Sequence, residues 1–214
     1  MTPSRPIRQW LVRLAGETLD GVFNPWASRN DDDLPSDGPA ARLQRLERHL
    51  DNPEARYLLV GEAPGHLGAR ISGIAFSSEK LIYEGAIPRL DDWYQARIST
   101  RSRPFSEPSA TIVWRTAFEL GIADQLVLWN AFPWHPYGDS THSNRTPTDA
   151  ELDKGLSFLE ELIAFYEDIT VVAVGKKSLR NLQAIDIYCL EVRHPSMGGA
   201  SAFAAGMRNI IAGR

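Results

Sequence analysis

The 214-residue sequence has a single cysteine, Cys189, and only three methionines. One cysteine excludes an intrachain disulfide, and it excludes any four-thiolate metal or iron–sulfur site within one chain. Cys189 lies in the apolar run IYCLEV, which predicts a buried, inert thiol. Long apolar runs are missing as well. Nothing approaches the roughly 18 consecutive apolar residues of a membrane-spanning helix. The opening residues, MTPSRPIRQWLVRL, lack the apolar centre of a secretory signal. The expectation is therefore a cytoplasmic chain with no membrane partner. Positive charge is also scarce: 23 lysines and arginines face 27 acids, for a formal net charge of −4. Proteins that coat nucleic acid are basic, so any such contact must be confined to a small patch. The acids gather in DDDLPSD (31–37), a stretch that reads as an exposed loop.

What remains is an ordinary folding composition, 43% hydrophobic and 23% charged, enough for one core-bearing domain. Four short runs rich in aliphatic and aromatic residues read as strands: RYLLVG (56–61), QLVLWN (125–130), ITVVAVG (169–175) and IYCLEVRH (187–194). Helical spacing fills the gaps between them. TDAE at 148–151 is a capping box; behind it, Leu152, Leu156, Leu159 and Ile163 share one face. Residues 109–121, 176–182 and 200–211 read as further helices, and RPIRQWLVRLAGETL and ARLQRLERHL as two more before the first strand. Alternating strands and helices predict a three-layer α/β/α fold around a four-stranded parallel sheet. Residues 1–214 form one domain in this reading, with 1–55 a helical extension packed on it. Residues 85–108, punctuated by three prolines, read as a partly helical excursion over the sheet's end.

Open parallel sheets bind ligands beyond the carboxyl ends of their strands. Three of the predicted strands lead into unusual sequence there. The first runs into GEAPGHLGAR, the second into Asn130 and AFPWHP, the fourth into HPSMGG. The first loop has neither the spacing of a Walker cradle nor that of a dinucleotide loop. It is either a tight structural turn or a place where backbone approaches a flat ligand, with Phe76 beyond it as a ring face. Asn130 carries both donors and an acceptor, suited to reading a base edge or to tying a turn. His194 can donate a hydrogen bond or serve a structural role. His135, His142 and Asp139 share no zinc spacing, and no metal is expected.

Together these pieces resemble the uracil-DNA glycosylase superfamily. GEAPG with a later G-x-x-F is similar to its first motif, the terminal asparagine of the second strand to its base-reading asparagine, and HPS to its His-Pro-Ser motif. GIAFSSE, SATIVW, WNAFPWHP, SNRTPT and VRHPSMGG are similar to segments of bacterial members, so the resemblance covers residues 56 to 211 in order. It departs in two places. GEAPG resembles the branch that holds an iron–sulfur cluster on four cysteines, and one cysteine cannot hold it. The best-known branch has an aspartate before the motif's proline; Ala63 stands there, with Glu62 one residue earlier.

The resemblance implies a monofunctional DNA glycosylase that hydrolyses the bond to uracil or a related deaminated base, without a cofactor. It implies Glu62 and His194 as catalytic residues, Glu62 orienting a water or favouring a cationic sugar and His194 donating to the departing base. Ala63, Gly65, Phe76 and Asn130 would bind the base. Ser196, Met197 and Gly198 would form a loop inserted into DNA, Met197 being either a wedge in the vacated stack or ordinary core. Arg70, Arg145, Lys176 and Arg193 lie beside the motifs and are either phosphate contacts or simply solvated charges, and Gly198 and Gly199 precede a helix whose N-terminus can bind a phosphate. The partners expected are uracil-containing DNA and free uracil, and the chain is expected to be a monomer. Activity on hypoxanthine or a mismatched thymine, binding without cleavage, and a small-molecule nucleosidase remain as alternatives.

Overall fold

The strands are nearly continuous apolar runs because the sheet is covered on both faces; the polar exceptions are Asn130, Thr170 and Glu191, at strand ends or on the short last strand. The computed structural model describes residues 5–213. In chain order the elements are α1 (Arg5–Gly16), β1 (Val22–Phe23), α2 (Pro39–Leu50), β2 (Tyr57–Gly61), α3 (Ala69–Ser72), α4 (Glu79–Tyr83), α5 (Pro108–Glu119), β3 (Leu126–Asn130), β4 (His135–Pro136), α6 (Asp149–Ile163), β5 (Thr170–Val174), α7 (Lys176–Ala184), β6 (Leu190–Val192) and α8 (Ala200–Ala212). The main sheet is four-stranded and parallel, in the order β3-β2-β5-β6. This is the α/β architecture that the sequence predicts.

Successive strand residues feed opposite cores. Tyr57, Leu59, Leu126, Leu128, Val172, Val174 and Val192 join α5 and α8 on one face. Leu58, Val60, Val127, Trp129, Val171 and Ala173 join α1, α2, α6 and α7 on the other. The capping box forms as expected: Thr148 Oγ1 accepts from the Glu151 backbone, and the Glu151 carboxylate accepts from the Thr148 N–H. The last strand is shorter than its apolar run. Only Leu190–Val192 pairs with β5, which leaves Cys189 before the strand and half-buried rather than fully buried. Residues 85–107 hold one 3-10 turn, Asp91–Trp93, and are otherwise irregular.

The N-terminal residues enter the second core directly. Trp10 is fully buried, and Trp26 stacks on Trp129 of β3 at 6.1 Å between ring centroids and 7° between planes. DDDLPSD is an exposed loop only in part: Asp31, Pro35 and Ser36 face solvent, but two of its acids turn inward. Asp33 forms a two-pronged pair with Arg42, and Asp37 with Arg45, inside the fold. The cause lies in α2, where Arg42, Arg45, Leu46 and His49 fall on one inward face. Burying a guanidinium is costly unless its charge is compensated, and at Arg42 and Arg45 the acidic loop supplies the carboxylates. Arg45 also donates from Nε to the Ser72 carbonyl at 2.9 Å, which ties α2 to α3.

Candidate active site

Register builds the site. Gly61 ends β2 directly beside Asn130, the last residue of β3. A Cβ on Gly61 would lie 2.5 Å from Asn130 Oδ1 and 2.8 Å from the Phe76 ring, so only glycine admits both side chains. The loop after β2 is pinned to β3 by Ala131 N–H to Gly61 O at 2.8 Å and Phe132 N–H to Glu62 O at 2.9 Å. Beneath it, buried His135 contacts the Pro64 carbonyl at 2.9 Å through Nδ1 and the Thr141 carbonyl at 3.2 Å through Nε2. Burial pulls its pKa down to about 4, so it is neutral and its single ring N–H donates to one of the two carbonyls.

Phe76 holds a left-handed backbone at φ +47, costly for an aromatic residue. Its carbonyl accepts from Trp114 Nε1 at 2.9 Å, and its ring lies 6.1 Å from that of His194. Backbone held in such a region usually marks a place where position matters more than stability. Asn130 is buried, yet its amide makes no hydrogen bond to a described residue, so it ties no turn.

His194 follows β6, close against Gly175, where a Cβ would lie 3.0 Å from its own. Ser196 sets its tautomer: the Ser196 backbone N–H donates to Nδ1 at 3.2 Å, and Ser196 Oγ lies 2.7 Å from the same atom. With Nδ1 accepting, the ring proton sits on Nε2. Burial first, and then neighbouring Arg193, hold the pKa of His194 below its ordinary value, so the ring is neutral near pH 7.

These side chains surround one cavity of about 930 Å³ at the carboxyl ends of the strands. Glu62, Ala63, Gly65, Phe76, Asn130, His194 and Ser196 all line it. Glu62 faces it in an ion pair: Lys177 Nζ donates to Glu62 Oε2 at 3.0 Å and to Thr146 Oγ1 at 3.1 Å. Lys176 and Arg193 also line the cavity, exposed and without an ion pair among the described residues.

Two arginines do not fit the phosphate contacts expected of them. Arg70 is 1% exposed; it donates to the Asn30 side chain and to the His66 carbonyl, with its guanidinium over the Phe23 ring. Arg145 grips Glu151 with two hydrogen bonds, at 2.7 and 2.6 Å, and donates to the Tyr137 and Gly21 carbonyls. Both are spent on the scaffold. Ser196, expected on the DNA, is spent on His194. Met197 is neither core nor cavity wall: it is 91% exposed, at φ +52, on a turn shared with Gly198 at φ +75. No group of three or more histidine, cysteine, aspartate or glutamate side chains among the described residues is arranged to hold a metal.

Sequence reasoning missed Lys177, one residue past the lysine it named, and Glu107. Glu107 lines the same cavity, and burial pushes its carboxyl up to about 7. The available signal for Lys177 was its place in the first turn of the helix after β5. For Glu107 there was no local signal.

A family model described as the uracil DNA glycosylase superfamily matches residues 48–205. Among solved structures, the chain is similar to the crystal structure of wild-type Pedobacter heparinus SMUG2, with a TM-score of 0.61 and 16% identity over 95% of both chains. No curated protein matches it. The family match spans well over half of the sequence and contains every residue lining the cavity, so the chain belongs to the uracil DNA glycosylase superfamily.

Proposed function

We propose that this chain is a DNA glycosylase that hydrolyses the N-glycosidic bond of uracil, or of a related deaminated base. The observation that carries the proposal is one cavity in which an aromatic ring, an unbonded amide and a neutral imidazole with its Nδ1 occupied meet. Breaking the bond leaves a cationic sugar and an anionic base. Catalysis requires groups that favour this charge separation over the ground state.

The geometry supports a division of labour. A base in a duplex must leave the stack before its sugar bond is reachable. Phe76 offers the flipped base a ring face. The Asn130 amide matches the donor and acceptor of the uracil edge and mismatches cytosine, whose pattern is inverted. His194 donates from Nε2 toward the oxygen that gains charge. Glu62, held by Lys177, places a carboxylate in the cavity to orient a water and to favour the cationic sugar. Exposed Met197 fills the space that the base leaves, while Lys176 and Arg193 meet phosphates at the cavity. The chain acts as a monomer on DNA and releases free base.

The test compares uracil release from a single-stranded oligonucleotide with release from free deoxyuridine, using wild type and Asn130→Asp. Wild type should cleave the oligonucleotide and leave the nucleoside intact. Asn130→Asp should lose uracil activity and gain tolerance for cytosine. Cleavage of free deoxyuridine would make the chain a nucleosidase. Binding without cleavage would make it a reader of damaged bases.

A further inference from the structure

Glu107 occupies the N-cap position of α5, yet its side chain makes no capping hydrogen bond. Its carboxyl packs against the bare Cα of Gly68, where a Cβ would fall 1.9 Å from Oε2. The approach to this position is fixed from a distance. Buried Glu79 accepts from the backbone N–H groups of Ile98, Ser99 and Phe105, so the irregular segment that delivers Glu107 is held at both ends. Glu79 is thus a carboxylate fully occupied by protein donors. Glu107 is the opposite: burial alone acts on it, and no hydrogen bond or charge among the described residues offsets that burial. Unlike fully buried Glu79, Glu107 is half-buried, so its unpartnered carboxyl stays within reach of a ligand. It lines the cavity that holds Phe76, Asn130 and His194.

We propose that Glu107 is a substrate-contacting residue that selects deaminated bases, its carboxyl donating a hydrogen bond to the carbonyl group that deamination creates. The inference rests on the glycosylase reading above. Deamination replaces an exocyclic amino donor with a carbonyl acceptor. A carboxylate can only accept, whereas a neutral carboxyl carries a donor. Burial pushes Glu107 up to about 7, so a large fraction holds its proton near neutrality. Once ionised, it repels both the carbonyl oxygen and the negative charge that the departing base acquires. The other charged or titratable groups lining the cavity are Glu62, Lys176, Lys177, Glu191, Arg193 and His194, with Lys177 engaged by Glu62.

The experiment follows single-turnover uracil release from a single strand at saturating enzyme, from about pH 6 to about pH 9. Wild type, Glu107→Gln and Glu107→Ala are compared, with thermal melts to verify folding. Wild type should slow by about tenfold or more across the alkaline half of that range, as a single ionisation dictates. Glu107→Gln, which keeps an uncharged donor, should be slower than wild type at low pH, faster than Glu107→Ala, and free of the alkaline fall. In parallel, the affinity of each protein for a non-cleavable 2′-fluorodeoxyuridine strand should weaken with pH in wild type and stay level in Glu107→Gln. If both proteins show the same alkaline fall in release and in affinity, a group other than Glu107 owns it and the Glu107 proposal is overturned, while wild-type uracil release still stands. If wild type neither cleaves nor binds either strand, the glycosylase reading falls, and this inference falls with it.

Discussion

Arg42 and Arg45 are fully buried, and each meets an aspartate through two hydrogen bonds, with Asp33 and Asp37 supplied by the acidic loop. On the other side of α3, in the cavity, the Asn130 amide and the Glu107 carboxyl meet no partner at all among the described residues. The two arginine–aspartate pairs are closed by the protein itself, whereas the Asn130 amide and the half-buried Glu107 carboxyl stay open to the cavity. At Asp33, burial pushes the carboxyl up and the hydrogen bonds and charge of Arg42 more than reverse it. At Glu107 nothing reverses it. Under the function proposed above, the open set is the one that a bound base completes.

The largest effect should come from breaking the satisfied side. Asp37→Ala strands the Arg45 guanidinium in the interior, a change worth about 3–5 kcal/mol. Urea unfolding should show that loss, and the double variant Asp37→Ala, Arg45→Met should recover much of it. A loss under 1 kcal/mol would mean that the belt is wetter than its burial implies, and the contrast with the cavity would shrink.

The next effect belongs to the open side. His194→Ala removes one preorganised donor, typically about 3–4 kcal/mol, or about a hundred- to thousandfold in rate. The loss should appear in single-turnover release on a uracil-containing single strand, with DNA binding retained. Glu62→Gln should lose less, because a neutral amide still holds a water and Lys177 still has a partner to bond. Should Glu62→Gln prove inactive while His194→Ala stays near normal, activation of water by Glu62 would carry the reaction instead.

How much of this was legible in the sequence follows the same divide. Continuous apolar runs announce a sheet covered on both faces, and the strand ends locate Asn130 and His194, because topology alone puts carboxyl ends on one side. The capping box at Thr148 is purely local and forms as written. What failed was everything that depends on distant partners. DDDLPSD looks solvated until α2 turns Arg42 and Arg45 inward, although their spacing with Leu46 and His49 already traces one helical face. Arg70 looks like a phosphate contact until Asn30 and Phe23 enclose it. Glu107 sits in RPFSEPS, where no periodicity exists to read. Its place follows from the absent Cβ of Gly68 and from Glu79's grip on the preceding segment.

The smallest effect is the most direct measure of the open side. The Glu107 carboxyl rises from its ordinary 4.5 to about 7 in the folded chain. Between those values the folded state keeps a proton that the unfolded state has lost. Stability from this group is therefore fully present below pH 4.5 and is lost as pH rises through about 7. Above that point the ionised carboxylate costs at most about 3.5 kcal/mol, the full shift at about 1.4 kcal/mol per unit. Glu107→Gln has no such proton to lose. Its unfolding free energy relative to wild type should climb across that window and then level off, making the variant the more stable protein in mild alkali. Urea titrations of the two proteins at matched pH measure the difference directly and cancel the other titrating groups, buried His135 among them. A constant difference across the window would show that Glu107 ionises as freely as a surface acid. The cavity would then be as well satisfied, by water, as the arginine belt is by its aspartates.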